Sequence, residues 1–320
     1  MNFNKVIGQD SLVTVTAEKG DGILSLLRKQ GLNPYEVYDD FVALNIDKLR
    51  DSVHLYEGKK YSIPKATKIK VRAVLEDVPT YAIFGDKHQK VFPQSTRLEG
   101  AVYYLISGHG GPDPGAMTTY NGTEISEDEY AYDVTLRLAK ELLSHGAKVY
   151  VIVRDPDDGI RDDRILEIDH DEVVYPELVI PLNQTARLKQ RTKVVNDLYA
   201  KNRGKYQRLI VTHVDSRRKG QGIDVFFYHH KKSKNGQRFA ENMHKTFVKK
   251  YKKYQPSRIY NGTFLDRGLY VINKTDPPMA FIEIGNISNV KDQRRILDPE
   301  NRQALAKWIS EGAILDFENK

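Results

Sequence analysis

The sequence predicts an α/β protein: a mostly parallel, twisted sheet flanked by helices on both faces, preceded by a small β-α-α-β domain. From residue 99 onward, nearly continuous apolar runs alternate with amphipathic helical stretches, the pattern of strands buried on both faces between the helices that cover them. Residues 13–64 follow a different plan, with short strand-like ends around two helix-like segments. A chain of 320 residues, 40% apolar and 29% charged, is long enough for two cores, and this composition excludes a disordered chain. Its longest apolar runs, such as MAFIEIG, fall short of the roughly 20 residues a bilayer span needs. Three segments are expected: a first unit at 1–66, a linker with short strands at 67–98, and the main domain at 99–320.

In the first unit, VTVTA reads as a strand, Gly20 to Gly22 as a turn and ILSLLRKQ as a helix stopped by Gly31. A second helix-like segment runs from about Tyr35 to Leu44, and YEGKKYSIP closes the unit as a strand. KGDG (Lys19 to Gly22), LLRKQGLN and EGKKYSIP (Glu57 to Pro64) together resemble a LysM carbohydrate-binding module, with Gly22 where that module usually has Thr. The likeness implies a unit that contacts glycan or serves as a spacer. In the next segment, TKIKVRAVLEDV alternates β-branched with charged residues, and FGDKHQKVFPQSTRLEG has little helical periodicity.

The main domain opens with the strand AVYYLIS, followed by a helix through EDEYAYDVTLRLAKELLSHG and the strand AKVYVIVR. A helix from Asn183 to about Asn202 precedes the strands YQRLIVTHV and GIDVFFYH. A helix from about Gly236 to Tyr254, the strand PMAFIEIG and a last helix from Pro299 to about Leu315 complete it.

Zero cysteines exclude disulfides, thiolate metal sites and cysteine nucleophiles, leaving His and carboxylates for any metal chemistry. Fifty Lys and Arg against 43 Asp and Glu give +7, suited to an anionic partner. Much of the excess falls between Lys231 and Lys253, which reads as a helix with a solvated basic face. The first ten residues, MNFNKVIGQD, lack the apolar core of a secretion signal.

In a doubly covered sheet the active site sits at the carboxyl ends of the strands. That rule selects His109 in the turn SGHGGPDPGA, His213 at the end of RLIVT, and Glu283 at the end of AFI. Between the first two lies an acidic helix start, SEDEYAYDV, able to supply a third ligand to a catalytic zinc. Capping by Ser126 with Glu127, Asp128 and Glu129 is the competing account of those acids. Glu129 shares a helical stripe with Tyr132 and Leu136 and is taken as the ligand, with Glu127 in reserve. Asp113 and Asp215 are candidates to orient a ligand imidazole. The acidic stretch DPDDGIRDDRILEIDHDE, Asp155 to Glu172, is expected as an exposed loop framing the cleft, and the remaining histidines as solvated or helix-terminal residues, among them His145 as a cation before Gly146.

SGHGGPDPGA, the acidic helix start, LKQRTKVVND, IVTHVDS and FIEIGNISN, in this order, resemble the blocks of the zinc-dependent N-acetylmuramoyl-L-alanine amidases that cut peptidoglycan. The likeness covers nearly all of residues 99 to 315. It implies Zn²⁺ held by His109, Glu129 and His213, Glu283 as the catalytic carboxylate, and Arg191 and Asn196 matching the helix block. Peptidoglycan, rather than nucleic acid, is the implied partner, and the implied place of action is the periplasm or cell envelope, with the leader peptide absent from this chain. The chain departs from the family at Val211 and Thr212, where Ser-Ile is usual, at Asp215, where Asn is usual, and at Asn286, where Phe is usual. A catalytically silent wall-binding protein and a different zinc hydrolase such as a carboxypeptidase are the alternative readings.

Overall fold

The computed structural model describes residues 13–18, 21–30, 32, 34–49, 54–64, 78–215 and 222–320. The chain divides into two units, 1–77 and 78–320. Lys19, Gly20, Gly31 and the stretch 65–77, on which part of the first-unit and linker readings rest, lie outside the described residues.

The first unit has the expected element order: β1 (Thr14–Thr16), α1 (Ile23–Lys29), α2 (Pro34–Asn45) and β2 (Lys60–Ser62). β1 and β2 pair antiparallel, Thr14 opposite Ser62 and Thr16 opposite Lys60. Leu26, Leu27, Phe41 and Tyr61 are buried, each of order 1.5–3 kcal/mol of hydrophobic stabilisation. Asn45 welds α2 to β2: its amide donates to Phe41 O and Ser62 O, both at 2.8 Å, and accepts from Ser62 N at 2.7 Å. A buried side-chain amide with these partners leaves no polar atom to desolvate unpaired.

Residues 78–98, expected as linker, belong instead to the second unit. Phe84, Val91 and Leu98 are buried in its core, and Gln94 N and Leu98 N donate to Ser144 O and His145 O at 2.7 and 2.9 Å. Phe84, Val91 and Leu98 recur every seven residues, a spacing one helical face allows, but the i+3 and i+4 positions between them are Lys87, His88, Gln94 and Ser95, and Gly85 and Pro93 intervene, so no full helical stripe marks them.

The sheet of the second unit is assembled from β3 (Ala101–Ser107) onward. A hairpin of β4 (Met117–Tyr120) and β5 (Thr123–Ser126) leads into α3 (Glu127–Ser144) and then β6 (Lys148–Val151). Three short strands, β7 (Val153–Arg154), β8 (Val173–Val174) and β9 (Leu178–Val179), form a side sheet before α4 (Gln184–Lys201). β10 (Tyr206–Asp215), β11 (Phe226–His229), α5 (Lys234–Tyr254), β12 (Phe264–Asp266), α6 (Tyr270–Lys274), β13 (Met279–Asn286), α7 (Val290–Leu297) and α8 (Pro299–Glu318) follow.

Strand order is β12-β11-β13-β10-β3-β6. β13, β10, β3 and β6 are mutually parallel, while β11 pairs antiparallel with β13, so the sheet is mixed at one edge. β3 is buried along its whole length. Tyr103 and Leu105 face one core with residues of α3, α5 and α8, whereas Val102, Tyr104 and Ile106 face the other with residues of α4 and α6, the period-2 alternation of a strand covered on both sides.

Two buried carboxylates tie the covering helices together. Asp133 of α3 accepts from Arg137 at 2.7 Å and from Arg302 of α8 at 2.6 Å. Asp316 of α8 accepts from Arg208 and Arg238, both at 2.8 Å. Arg302 also donates to Arg161 O and Asp163 O at 2.8 Å, so the acidic 155–172 stretch is strapped to the helices at its middle. His145 is the C-cap of α3 with Nδ1 2.8 Å from Ser95 Oγ. Burial lowers its pKa below the ordinary value, which disfavours the helix-terminal cation expected there.

Candidate active site

The parallel register brings the sequence-selected residues together. β10 and β13 pair so that His213 lies directly beside Glu283, and β3 pairs with β10 up to Ser107 and Thr212. Paired residues point to the same face, and His109 follows two residues after the end of β3. His213, Glu283 and His109 therefore meet at the carboxyl edge of the sheet and line one cleft of about 520 Å³ with Asp113, Glu127, Asp215 and Phe281.

The carboxylate that meets both imidazoles is Glu127. Its Oε1 lies 2.8 Å from His213 Nδ1 and its Oε2 3.4 Å from His109 Nε2. Glu129, taken from the sequence as the ligand, is elsewhere: its carboxylate accepts from Arg161 at 2.7 Å and from Asp169 N at 3.2 Å. Two residues along a helix turn the side chain by roughly 200°, so Glu127 and Glu129 cannot share one direction. The stripe argument placed Glu129 above buried Tyr132 and Leu136, but all of α3's first turn is buried. Burial therefore did not mark the catalytic side. Ser126 makes no side-chain cap hydrogen bond, and of the three acids Asp128 serves the helix N-terminus, accepting from Glu129 N at 3.0 Å.

Local backbone chemistry presents each of these side chains. The β10 ladder is irregular between His213 and Asp215, and Val214 N, at that irregularity, donates to Glu127 Oε1 at 2.9 Å. Ala116 N donates to Oε2 at 3.2 Å. His109 adopts a left-handed backbone with φ of 61°, uncommon for a side-chain-bearing residue. Two glycines give the rings room: a Cβ on Gly108 would fall 2.4 Å from the His213 ring, and one on Gly115 would fall 2.7 Å from the His109 ring. The Phe281 ring stacks on His213 with centroids 4.6 Å apart, fixing the imidazole plane by packing.

Electrostatics distinguish the groups. Burial opposes the Glu127 charge, but the His109 and His213 imidazoles outweigh it and hold the carboxyl well below its usual range. Burial likewise opposes charge on His109, yet Asp113 and Glu127 push its pKa up to about 10. Burial lowers His213. Glu129 is pushed up to about 7 by burial, against the opposing pull of Arg161.

His109, Glu127 and His213 offer one donor atom each, all within 4.8 Å of one another. Two imidazoles and a carboxylate are a donor set that suits Zn²⁺, and tetrahedral bonds of about 2.0–2.1 Å would separate ligand atoms by about 3.3 Å, comparable with the 2.8 and 3.4 Å contacts here. A metal ion at this point would displace the proton that His109 otherwise retains.

Arg191 is buried within α4 and lies outside the residues lining the cleft. Asn196 makes a structural tie, donating to Lys274 O and accepting from Asp276 N, both at 2.9 Å. Sequence reasoning missed Phe281 and Arg187, whose guanidinium lies 2.8 Å from Asp113. Phe281 was legible in principle, two residues before Glu283 and so on the same strand face. Arg187 carried no signal beyond its place one turn before Arg191.

A mixed α/β sheet at whose carboxyl edge two imidazoles and four carboxylates line one cleft has the make-up of a hydrolase. The N-acetylmuramoyl-L-alanine amidase family model matches residues 104–314, and the chain belongs to that family. It is a peptidoglycan hydrolase that cleaves the bond between N-acetylmuramic acid and L-alanine. It is 25% identical over 234 residues to the germination-specific N-acetylmuramoyl-L-alanine amidase of Bacillus subtilis (strain 168), covering 71% of this chain and 84% of that protein. The fold is shared with the CwlD amidase from Clostridioides difficile solved in complex with the GerS lipoprotein, at TM-score 0.52 and 17% identity over 68% of this chain and 99% of that one. It is shared as well with an N-acetylmuramoyl-L-alanine amidase from Clostridium difficile 630, at TM-score 0.51 and 18% identity over 69% and 100%. Among the described residues no helix is long and apolar enough to cross a membrane.

Proposed function

We propose that the amidase reaction is zinc-dependent, with His109, Glu127 and His213 as metal ligands and Glu283 as general base and acid. The observation that carries this reading is the convergence of the three donor atoms beside a fourth side chain, Glu283, set next to His213 by strand register. A bound Zn²⁺ supplies Lewis acidity, polarising the scissile carbonyl and acidifying water at neutral pH. Glu283 lies in the same cleft, only 3% exposed. It takes the proton of the attacking water and returns one to the alanine nitrogen as the C–N bond breaks, leaving a lactyl carboxylate and a free amine. Proton transfer of this kind contributes about 10²–10⁴-fold in rate. Glu127 remains anionic throughout, since each of its oxygens accepts a main-chain N–H, from Val214 and from Ala116.

The first unit serves as a LysM-type glycan-binding module or spacer, a reading supported by its β-α-α-β order and antiparallel β1–β2 pair. The polymer cut by the enzyme implies action outside the cytoplasm, in the periplasm or cell envelope. The test is digestion of purified peptidoglycan before and after treatment with a zinc chelator, scoring new N-terminal alanine amines. Release that is abolished by chelation and restored by zinc is expected. Release of carboxyl-terminal amino acids would indicate a carboxypeptidase, and binding without release a silent wall-binding protein.

A further inference from the structure

We infer that Asp113 and Arg187 form a positioning pair that fixes the orientation of His109 and thereby sets the affinity of the three-residue site for zinc; this rests on the metal reading above. Asp113 is a hub of the turn that carries His109. Its main-chain oxygen accepts from Gly110 N at 2.8 Å, holding the left-handed backbone, and its Oδ1 accepts from Gly115 N at 3.3 Å. Its Oδ2 lies 3.1 Å from His109 Nδ1 and 2.8 Å from Arg187 Nη2. His109 Nδ1 is buried and makes no hydrogen bond among the described residues; its contact with the Asp113 carboxylate is an ion-pair contact outside hydrogen-bond alignment, and that contact pairs Nδ1 with Asp113. That assignment leaves Nε2 as the nitrogen turned toward Glu127, 3.4 Å away.

Arg187 brings the other half of the device from α4, 74 residues away in sequence. Its Nη1 donates to Leu182 O and its Nη2 to Asp113, so the guanidinium is fixed at both ends and is itself buried. Because Arg187 and His109 share one oxygen, the carboxylate can neither rotate toward the cleft nor abandon Nδ1 without leaving a buried cation unpaired. His213 has a different restraint, the Phe281 ring. Both imidazoles face Glu127, and beyond it His109 is held by charge and His213 by packing. A carboxylate behind a ligand imidazole fixes its tautomer and raises its basicity, and losing such a partner typically weakens metal binding about 10–100-fold.

The experiment measures the zinc dissociation constant by competition with a chromophoric chelator, for the full chain and for Asp113→Asn, Arg187→Gln and the double variant, alongside the thermal midpoint of each metal-free protein. The expected result is about 10–100-fold weaker zinc binding in Asp113→Asn, a smaller loss in Arg187→Gln, and no additional loss from Arg187→Gln once Asp113 is changed. Zinc affinity unchanged in Asp113→Asn overturns the inference, as do fully additive losses, which would mean Arg187 acts by another route. If Asp113→Asn does not fold, unchanged affinity in Arg187→Gln alone overturns it. A wild-type protein that takes up no zinc is a separate result: it removes the metal reading itself and this inference with it.

Discussion

The two sides of the first turn of α3 are chemically opposite. On one side Glu127 meets two imidazoles and two main-chain N–H groups and stays ionised. On the other, Glu129 meets Arg161 and Asp169 N, in a cluster with Asp128 and Glu172, and its pKa is pushed up to about 7. Both are almost fully buried, at 5% and 1% exposure, so burial does not separate the acid at the two imidazoles from the one at Arg161. What separates them is the partner. An acid facing imidazoles, which can give up a proton, can exchange that proton for a metal cation, whereas one paired with a guanidinium and crowded by other carboxylates cannot do so without losing a buried ion pair.

The largest effect expected from this contrast is on Glu127. Glu127→Gln should lose stoichiometric zinc and reduce turnover on peptidoglycan by about 10³-fold or more, since several kcal/mol of transition-state stabilisation depends on the metal. Elemental analysis together with amine release checks both. Next comes Glu283→Gln, which should retain zinc while turnover falls about 10²–10⁴-fold. A Glu283→Gln enzyme of full activity would remove Glu283 from the proton transfers.

The smallest effect belongs to Glu129, and it is on stability rather than chemistry. Its folded pKa, about 7, stands above the ordinary 4.5, so the neutral acid is favoured by folding. Its stabilising contribution is complete below pH 4.5 and is lost as pH rises toward and past 7. Asp155, at about 7, and Glu172, at about 8, are raised by burial and add slopes of the same sign. Glu129→Gln should therefore keep zinc and near-native turnover, and the denaturant-unfolding free energy of its metal-free form should decline less than that of the metal-free wild type between pH 4.5 and 8. Zinc lost from Glu129→Gln but kept in Glu127→Gln would reverse the comparison.

The sequence made much of this architecture legible because strand-end positions are a matter of period and order. AVYYLIS, RLIVT and AFI read as strands from their apolar runs, and the residues just past or near their ends, His109, His213 and Glu283, were selected before any geometry was known. The choice between Glu127 and Glu129 was not legible, because helical phase can be read only when one face is solvated, and α3 buries both. The antiparallel direction of β11 left no trace in GIDVFFYH, since an apolar run has no polarity. Short elements such as β12 and α6, of 3 and 5 residues, escaped for want of a full period. The anchors Phe84, Val91 and Leu98 recur at seven but lack apolar partners at i+3 and i+4, and Arg187 reaches Asp113 only through the tertiary fold.

The most direct measurement is anomalous diffraction at the zinc edge from crystals of the zinc-loaded enzyme. The account predicts one peak about 2.0–2.2 Å from His109 Nε2, the Glu127 carboxylate and a His213 ring nitrogen, with Glu129 still against Arg161. A peak bonded to Glu129 on the other side of the helix, or no peak between the two imidazoles, would contradict it.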